Sequence, residues 1–362
     1  MRESLRSCSW IPAFAGTTIA FACAFSAQAG IKVEKYAEGV YVAVRTEPPG
    51  LMFDANVVFL VNDEDVVVVD ANLTPSSAKE SIAALRAITK RPVRYLVNTH
   101  WHIDHVGGNA TWREAYPGIE FIAHTSARED MLKTGETNRK AFLEGGGGFA
   151  KQLREKVQKG ENFAGKALTE EEREAYLADA TLVESYLREG PAIEAVLPTL
   201  AIDGRFVLRR GERVIDIRHL GAGHTAADLV VHLPNEGILI AGDLVVFPVP
   251  LVGSTSYPSA YAATLGRLLE LKPKLIVPGH GPILRKDDHV WTTMRMLEAL
   301  ASQVGAAVAR GETLEQARRS VHLEKYRATL VGESPQRELI FRSYVLQPGI
   351  EAAYNEAKGK KP

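Results

Sequence analysis

The sequence predicts an α/β fold in which two sheets pack face to face with helices outside. Two observations carry this. Strand-length apolar runs come in two separate series, one over residues 31–70 and one from near residue 200 to residue 243. Each series is followed by a helical pattern and then by a strand that ends in a histidine motif, so the halves share one order of elements.

In the first series, "IKVEKY", "GVYVAVR", "NVVFLVN" and "DVVVVD" are separated by short turns such as Asn62-Asp63-Glu64-Asp65, the pattern of an antiparallel meander. "PSSAKESIAALRAI" predicts a helix that Ser76 or Ser77 can cap, with Ile82, Leu85 and Ile88 at helical spacing. "VRYLVNTH" is a buried strand. Residues from about 126 to 196 are charged and helix-rich, and Gly145 to Gly148 interrupt them. This stretch is expected to be a helical insertion, with a flap over a site as the sharper alternative. Four consecutive glycines with no Gly-Lys-Ser/Thr after them favour mobility over a phosphate cradle. The second series contains "RFVLRR", "RVIDIRHL", "DLVVHLP" and "GILIAGD", then the helix "SAYAATLGRLLEL" and the strand "KLIVPGH". A helical C-terminal layer is expected over about 287–362.

The first 29 residues differ from the rest. Arg2 and Arg6 precede the apolar "IPAFAGTTIAFACAF", and Ala27-Gln28-Ala29 forms an A-x-A cleavage site, the order of a secretory signal peptide. The mature chain, residues 30–362, is then expected as one domain, periplasmic or secreted, with no stable membrane association after cleavage. Cys8 and Cys23, the only cysteines, lie in the leader, so the mature chain has no disulfide, zinc-thiolate site or cysteine nucleophile. A net charge of −1 argues against nucleic acid as a partner and leaves a small-molecule substrate.

The chemistry is concentrated in "NTHWHIDHVGGN". His100, His102, Asp104 and His105 lie within six positions of a chain that has only ten histidines. Such a cluster is costly to bury unless a cation satisfies it. "GAGHTAAD", "IAGDLV" and "VPGHGP" add His224, Asp243 and His280, each beside a glycine at or near a strand end. Imidazole and carboxylate together suit Zn²⁺, and the carboxylates also admit iron or manganese. His124, His219, His232, His289 and His322 read as ordinary histidines, Trp101 and Ile103 as packing residues. Tyr257 reads as packing, with substrate contact as the alternative.

These motifs, in this order across residues 70 to 281, resemble the metallo-β-lactamase superfamily. The resemblance implies a four-layered αβ/βα sandwich, here with the helical insertion and the helical C-terminal extension, and a dinuclear metal site between the sheets. It implies that His100, His102 and His224 hold one zinc, that Asp104, His105 and His280 hold the second, and that Asp243 bridges both with a hydroxide. Asp70 matches a family aspartate that braces the metal loop from behind.

A metal lowers the pKa of its water toward about 7, so the implied reaction is hydrolysis, with Asp104 and Asp243 as the catalytic carboxylates orienting the attacking hydroxide. No G-x-S-x-G is present to support a serine mechanism. The expected substrate is a carbonyl compound: a β-lactam, lactone, ester or thioester. "GHTAADLVVHLPNEGILIAGD" resembles zinc β-lactamases, and a periplasmic β-lactamase-like hydrolase is the leading expectation. Against it, the best-known class of those enzymes has cysteine at the position of Asp243, arginine at that of His105, and a substrate-binding lysine at that of Val246. Asp243 with His105 instead resembles the glyoxalase II, lactonase and phosphodiesterase branches, so a thioesterase or lactonase is the rival. A non-catalytic periplasmic zinc-binding protein is the alternative of another class.

Overall fold

The structure, a computed structural model, describes residues 30–360. The expected leader and its cleavage site therefore lie outside the described residues. Among the described residues, twelve strands form two sheets. The first contains β1 (Ile31–Ala37), β2 (Val40–Arg45), β3 (Val57–Val61), β4 (Val66–Val69), β5 (Val93–Val97), β6 (Glu120–His124) and β7 (Leu200–Ile202), in that spatial order. Pairing is antiparallel from β1 to β4 and parallel from β4 to β7. The second contains β8 (Arg205–Arg210), β9 (Arg213–His219), β10 (Leu229–Leu233), β11 (Ile238–Val246) and β12 (Leu275–His280), with only β11 and β12 parallel.

Alternation along the strands sets the layers. On β3, Val58 and Leu60 point between the sheets and Val57 and Phe59 point outward; on β11, Ile238 and Ile240 point inward and Leu239 and Ala241 outward. The outward face of the first sheet packs on the helices α1 (Pro75–Ile88), through Ile82 and Leu85, and α3 (Asn109–Ala115), through Trp112; the four-residue α2 (Ile103–Val106) lies between them in the chain. The helix α4 (Ala127–Asp130), then α5 (Glu136–Lys159) and α6 (Glu170–Glu189), fill the connection from β6 to β7. The outward face of the second sheet packs on α7 (Pro258–Glu270), α8 (Asp288–Ala309) and the C-terminal helices α9 (Leu314–Ser320), α10 (Glu324–Val331), α11 (Pro335–Phe341) and α12 (Gln347–Ala357). This is the expected sandwich with helices outside. No helix of the described residues is long and apolar enough to cross a membrane.

Three local expectations need correction. The cap of α1 is Thr74, not Ser76 or Ser77: Ser77 is the third helical residue and closes a reciprocal capping box with Thr74, while Pro75 takes the first position, where its missing N–H costs nothing. Gly145 to Gly148 do not interrupt a helix but lie inside α5. Gly146 is buried there, and an added Cβ would come within 3.2 Å of Phe142 and 3.4 Å of Leu187, so the run lets α5 approach α6. Finally, β7 joins the first sheet although its three residues are too few for a legible alternation.

Candidate metal centre

All seven residues singled out in the sequence meet at the cleft between the sheets, in two groups: His100, His102 and His224, and Asp104, His105, Asp243 and His280. They arrive there on different elements. β5 ends just before His100; α2 carries Asp104 and His105 one turn later; β11 carries Asp243 and β12 ends on His280. β11 and β12 are parallel neighbours, which brings Asp243 and His280 to one end of the sheet. Gly279 makes that approach feasible, because a Cβ there would lie 1.9 Å from Asp243 Oδ1.

The ring nitrogens facing away from the centre are held. His105 Nδ1 lies 2.8 Å from Asp70 Oδ2, His224 Nδ1 is 3.0 Å from the Leu251 carbonyl, and His280 Nδ1 is 3.1 Å from the Asp54 carbonyl. A carboxylate or carbonyl only accepts, so each Nδ1 donates and Nε2 is turned to the site. His100 Nδ1 and His102 Nε2 rest on the hydroxyls of Thr99 and Thr255, both at 3.2 Å. Asp70 also accepts from the backbone N–H and hydroxyl of Thr99. Its φ of 64° is in the left-handed region that β-strand residues avoid, a local strain accepted where it aims a bracing carboxylate. Asp70 thus braces from behind, as expected.

In the second group, His105 Nε2 lies 3.3 Å from Asp104 Oδ2, 3.2 Å from Asp243 Oδ1 and 3.3 Å from His280 Nε2. His280 Nε2 lies 3.0 Å from Asp104 Oδ2 and 3.3 Å from Asp243 Oδ1. Separations of 3.0–3.3 Å are those of donors that could each stand about 2.0–2.2 Å from one ion, the range for zinc to nitrogen or carboxylate oxygen. In the first group, His102 Nδ1 is 3.1 Å from His100 Nε2 and 2.9 Å from His224 Nε2. Asp243 Oδ2 approaches His224 Nε2 at 3.5 Å and His100 Nε2 at 4.0 Å. The two oxygens of Asp243 therefore face different groups. Its Oδ1 is buried and makes no geometrically acceptable hydrogen bond, although it lies close to two ring nitrogens. These donors fit divalent cations.

Electrostatics agree. Burial lowers His105 and His280, but Asp243 and Asp104 outweigh it, lifting His105 well above the usual imidazole range and His280 to about 10. Burial would raise Asp104 and Asp243, yet the neighbouring histidines hold both well below the carboxylate range. The second group thus draws positive charge inward. In the first, burial and neighbouring imidazoles push His100 well down and His102 to about 3, which keeps lone pairs available.

A cavity of about 370 Å³ opens onto His102, Asp104, His224 and Asp243. Its further lining includes Phe53, Phe142, Tyr186 and Tyr344, none of which stood out in the sequence. They lie on a loop, α5, α6 and the segment before α12, too far apart in the chain for any spacing signal. Trp101 is buried in a small apolar cluster, as expected of a packing residue, but it also lines the cavity with Ile103. Tyr257 does not line it; it leads into α7, and its N–H donates to the Gly223 carbonyl. His289, outside the donor groups, sits 2.7 Å from the Val246 carbonyl.

Comparison with known proteins follows the same geography. The profile of the Metallo-beta-lactamase superfamily matches residues 52–280. A Bacillus subtilis (strain 168) protein described as "Probable metallo-hydrolase YqjP" is 26% identical over 256 residues, covering 66% of this chain and 71% of its own. A hydroxyacylglutathione hydrolase from Gloeobacter violaceus is 42% identical over 71 residues, 19% of this chain; the match spans only 26% of that relative. Among solved structures, the metallo-β-lactamase from Pontibacter korlensis superposes with a TM-score of 0.52 at 16% identity, over 74% of this chain and 99% of that one. The sec-alkylsulfatase Pisa1 from Pseudomonas sp. superposes at 0.63 and 15% identity, over 91% of this chain and 50% of that one. At these identities the two structures share a fold with this chain.

Proposed function

The chain belongs to the metallo-β-lactamase superfamily and is a metal-dependent hydrolase, and from that premise we propose a two-zinc enzyme that hydrolyses a carbonyl substrate. In this reading His100, His102 and His224 hold one ion, Asp104, His105 and His280 hold the other, and Asp243 serves both. The observation that carries it is the division of the Asp243 carboxylate, Oδ1 toward His105 and His280 and Oδ2 toward His224 and His100. Bound ions would acidify a water at neutral pH and polarise the substrate carbonyl. Asp104, half-buried beside the cavity and held as a carboxylate, would help hold its ion and orient the attacking water. The Nδ1 partners of His105, His224 and His280 turn each Nε2 toward the site, where a bound ion would take the place of a proton.

Among carbonyl substrates, an ester, thioester or lactone is favoured over a β-lactam. Val246 stands where the best-known zinc β-lactamases have lysine, and Val246 is buried in β11. The matched segment of the hydroxyacylglutathione hydrolase supports the same ordering. Export is proposed from residues 1–29 alone and predicts a mature N-terminus at Gly30. The test is a hydrolysis panel on zinc-loaded protein: a simple ester, an acyl-homoserine lactone, S-lactoylglutathione, a chromogenic cephalosporin and a phosphodiester. The ester, lactone or thioester should dominate. A phosphodiester preference contradicts the carbonyl assignment, and two bound zincs without turnover on any substrate favour a binding protein.

A further inference from the structure

We propose that the cavity above the metal centre is a binding subsite for an uncharged, apolar chain, so that the substrate is an ester or lactone with a hydrocarbon tail of about six to ten carbons. The inference rests on the carbonyl-hydrolysis reading and names its substrate class. Apart from the donor residues, the lining is chiefly aliphatic and aromatic. Phe142 from α5 meets Tyr186 from α6 with ring centroids 5.4 Å apart, and Phe53 meets Tyr344 at 5.5 Å. About 370 Å³ is within the ordinary size of small-molecule pockets, and burying a tail there removes apolar surface from water on both sides.

The lining side chains argue against the main alternative, a tail anchored by its own carboxylate away from the metal centre. Among the described lining residues the single Lys or Arg is Arg139. Its Nε and Nη2 donate to both oxygens of Glu136, at 2.7 and 2.8 Å, and its Nη1 donates to the Gly190 carbonyl at 3.0 Å. That guanidinium is neutralised by a bidentate partner and tied to the end of α6. Among the lining side chains an anionic tail would find no unpaired cation, while a hydrocarbon tail needs none.

The experiment has two arms on the full-length protein. In the first, zinc-loaded protein hydrolyses p-nitrophenyl acetate, butyrate, hexanoate and octanoate: water adds to the acyl carbon, the ester C–O bond breaks, and p-nitrophenol and the carboxylic acid leave. kcat/KM should rise roughly threefold to fourfold per methylene, the burial of one CH₂ converted at about 1.4 kcal/mol per tenfold. In the second, the uncharged fluorophore N-phenyl-1-naphthylamine is bound with and without zinc and displaced by primary alcohols. Decanol should displace it at least tenfold more effectively than butanol. Phe142→Lys places a cation in the wall; it should flatten the chain-length series and weaken fluorophore binding tenfold or more, with zinc content and circular dichroism as controls of folding. Ester turnover that is flat or falls with length overturns the tail subsite and leaves the carbonyl reading standing. Chain-length-dependent displacement without turnover of any ester supports the tail subsite and removes the carbonyl reading.

Discussion

On the floor of the cleft each donor histidine is held from behind by a polar partner, whereas the wall above it is held mainly by packing and a few long-range anchors. The floor grips are repeated, one polar partner behind each histidine, as in the bracing of His105 by Asp70 and of His280 by the Asp54 carbonyl. The wall relies on contacts between distant segments. Asp179 of α6 accepts from the N–H groups of Leu51 and Met52 at 2.8 and 3.0 Å, Tyr344 donates to the Leu51 carbonyl, and Gln336 donates to the Pro49 carbonyl. Gly50 fits under Asp179 only because it lacks a Cβ, which would come within 2.0 Å of the carboxylate. The helical segment and the C-terminal helices thus converge on one loop, and that loop presents Phe53, whose ring centroid is 5.0 Å from that of His280. Chemistry is built on strand ends; the shape of the pocket is built on a loop and helices from distant parts of the chain.

Substitutions separate the two regions. The largest effect is expected on the floor: Asp104→Ala should lower kcat/KM by about 10³-fold or more with the fold retained, read by steady-state kinetics and circular dichroism. Unchanged turnover would remove Asp104 from the reaction. One layer back, Asp70→Ala should weaken zinc affinity by about 10–100-fold, because His105 and Thr99 lose their common brace. Competition with a chromogenic chelator measures this, and an unaltered affinity would make Asp70 merely structural.

The wall should respond in stability. Burial pushes Asp179 up to about 7 against the pull of the two backbone donors. A carboxyl raised in the folded state favours folding while protonated; that contribution is full below the ordinary value of 3.8 and is lost as pH rises through about 7. Between pH 5 and pH 8 the native protein should lose thermal stability more steeply than Asp179→Asn, which cannot ionise. Equal slopes would contradict the buried acid. The smallest effects belong to Gly145→Ala and Gly148→Ala. Both glycines are helical with nothing within 4 Å of an added Cβ, so each change should stabilise by about 1 kcal/mol in chemical denaturation. Destabilisation would contradict the helical conformation of the run.

The difference between floor and wall also explains what could be read in advance. His100, His102, Asp104 and His105 announce themselves because a tight cluster of titratable groups has no other cheap use, and His224, Asp243 and His280 follow because they end or flank strongly apolar strands. The two-sheet order was legible for the same reason: β3, β4, β10 and β11 are buried on both faces and read as continuous apolar runs. The wall left no such trace. Phe53, Phe142, Tyr186 and Tyr344 are separated by up to 291 positions, and an aromatic residue on an amphipathic helix looks the same whether it faces a core or a cavity. The glycine run misled because propensity argues against a helix that tertiary packing of α5 on α6 sustains. Thr74 was missed as a cap because three hydroxyl residues, Thr74, Ser76 and Ser77, compete within four positions.

The claim on which the rest depends is that one carboxylate, that of Asp243, serves two cation sites. Zinc stoichiometry by elemental analysis after equilibrium dialysis tests it directly, on the native protein and on Asp243→Ala. The native protein should hold two zinc ions per chain, and the variant should lose affinity at both positions together. A native protein that saturates at one ion, or a variant that still holds two with undiminished affinity, would contradict it.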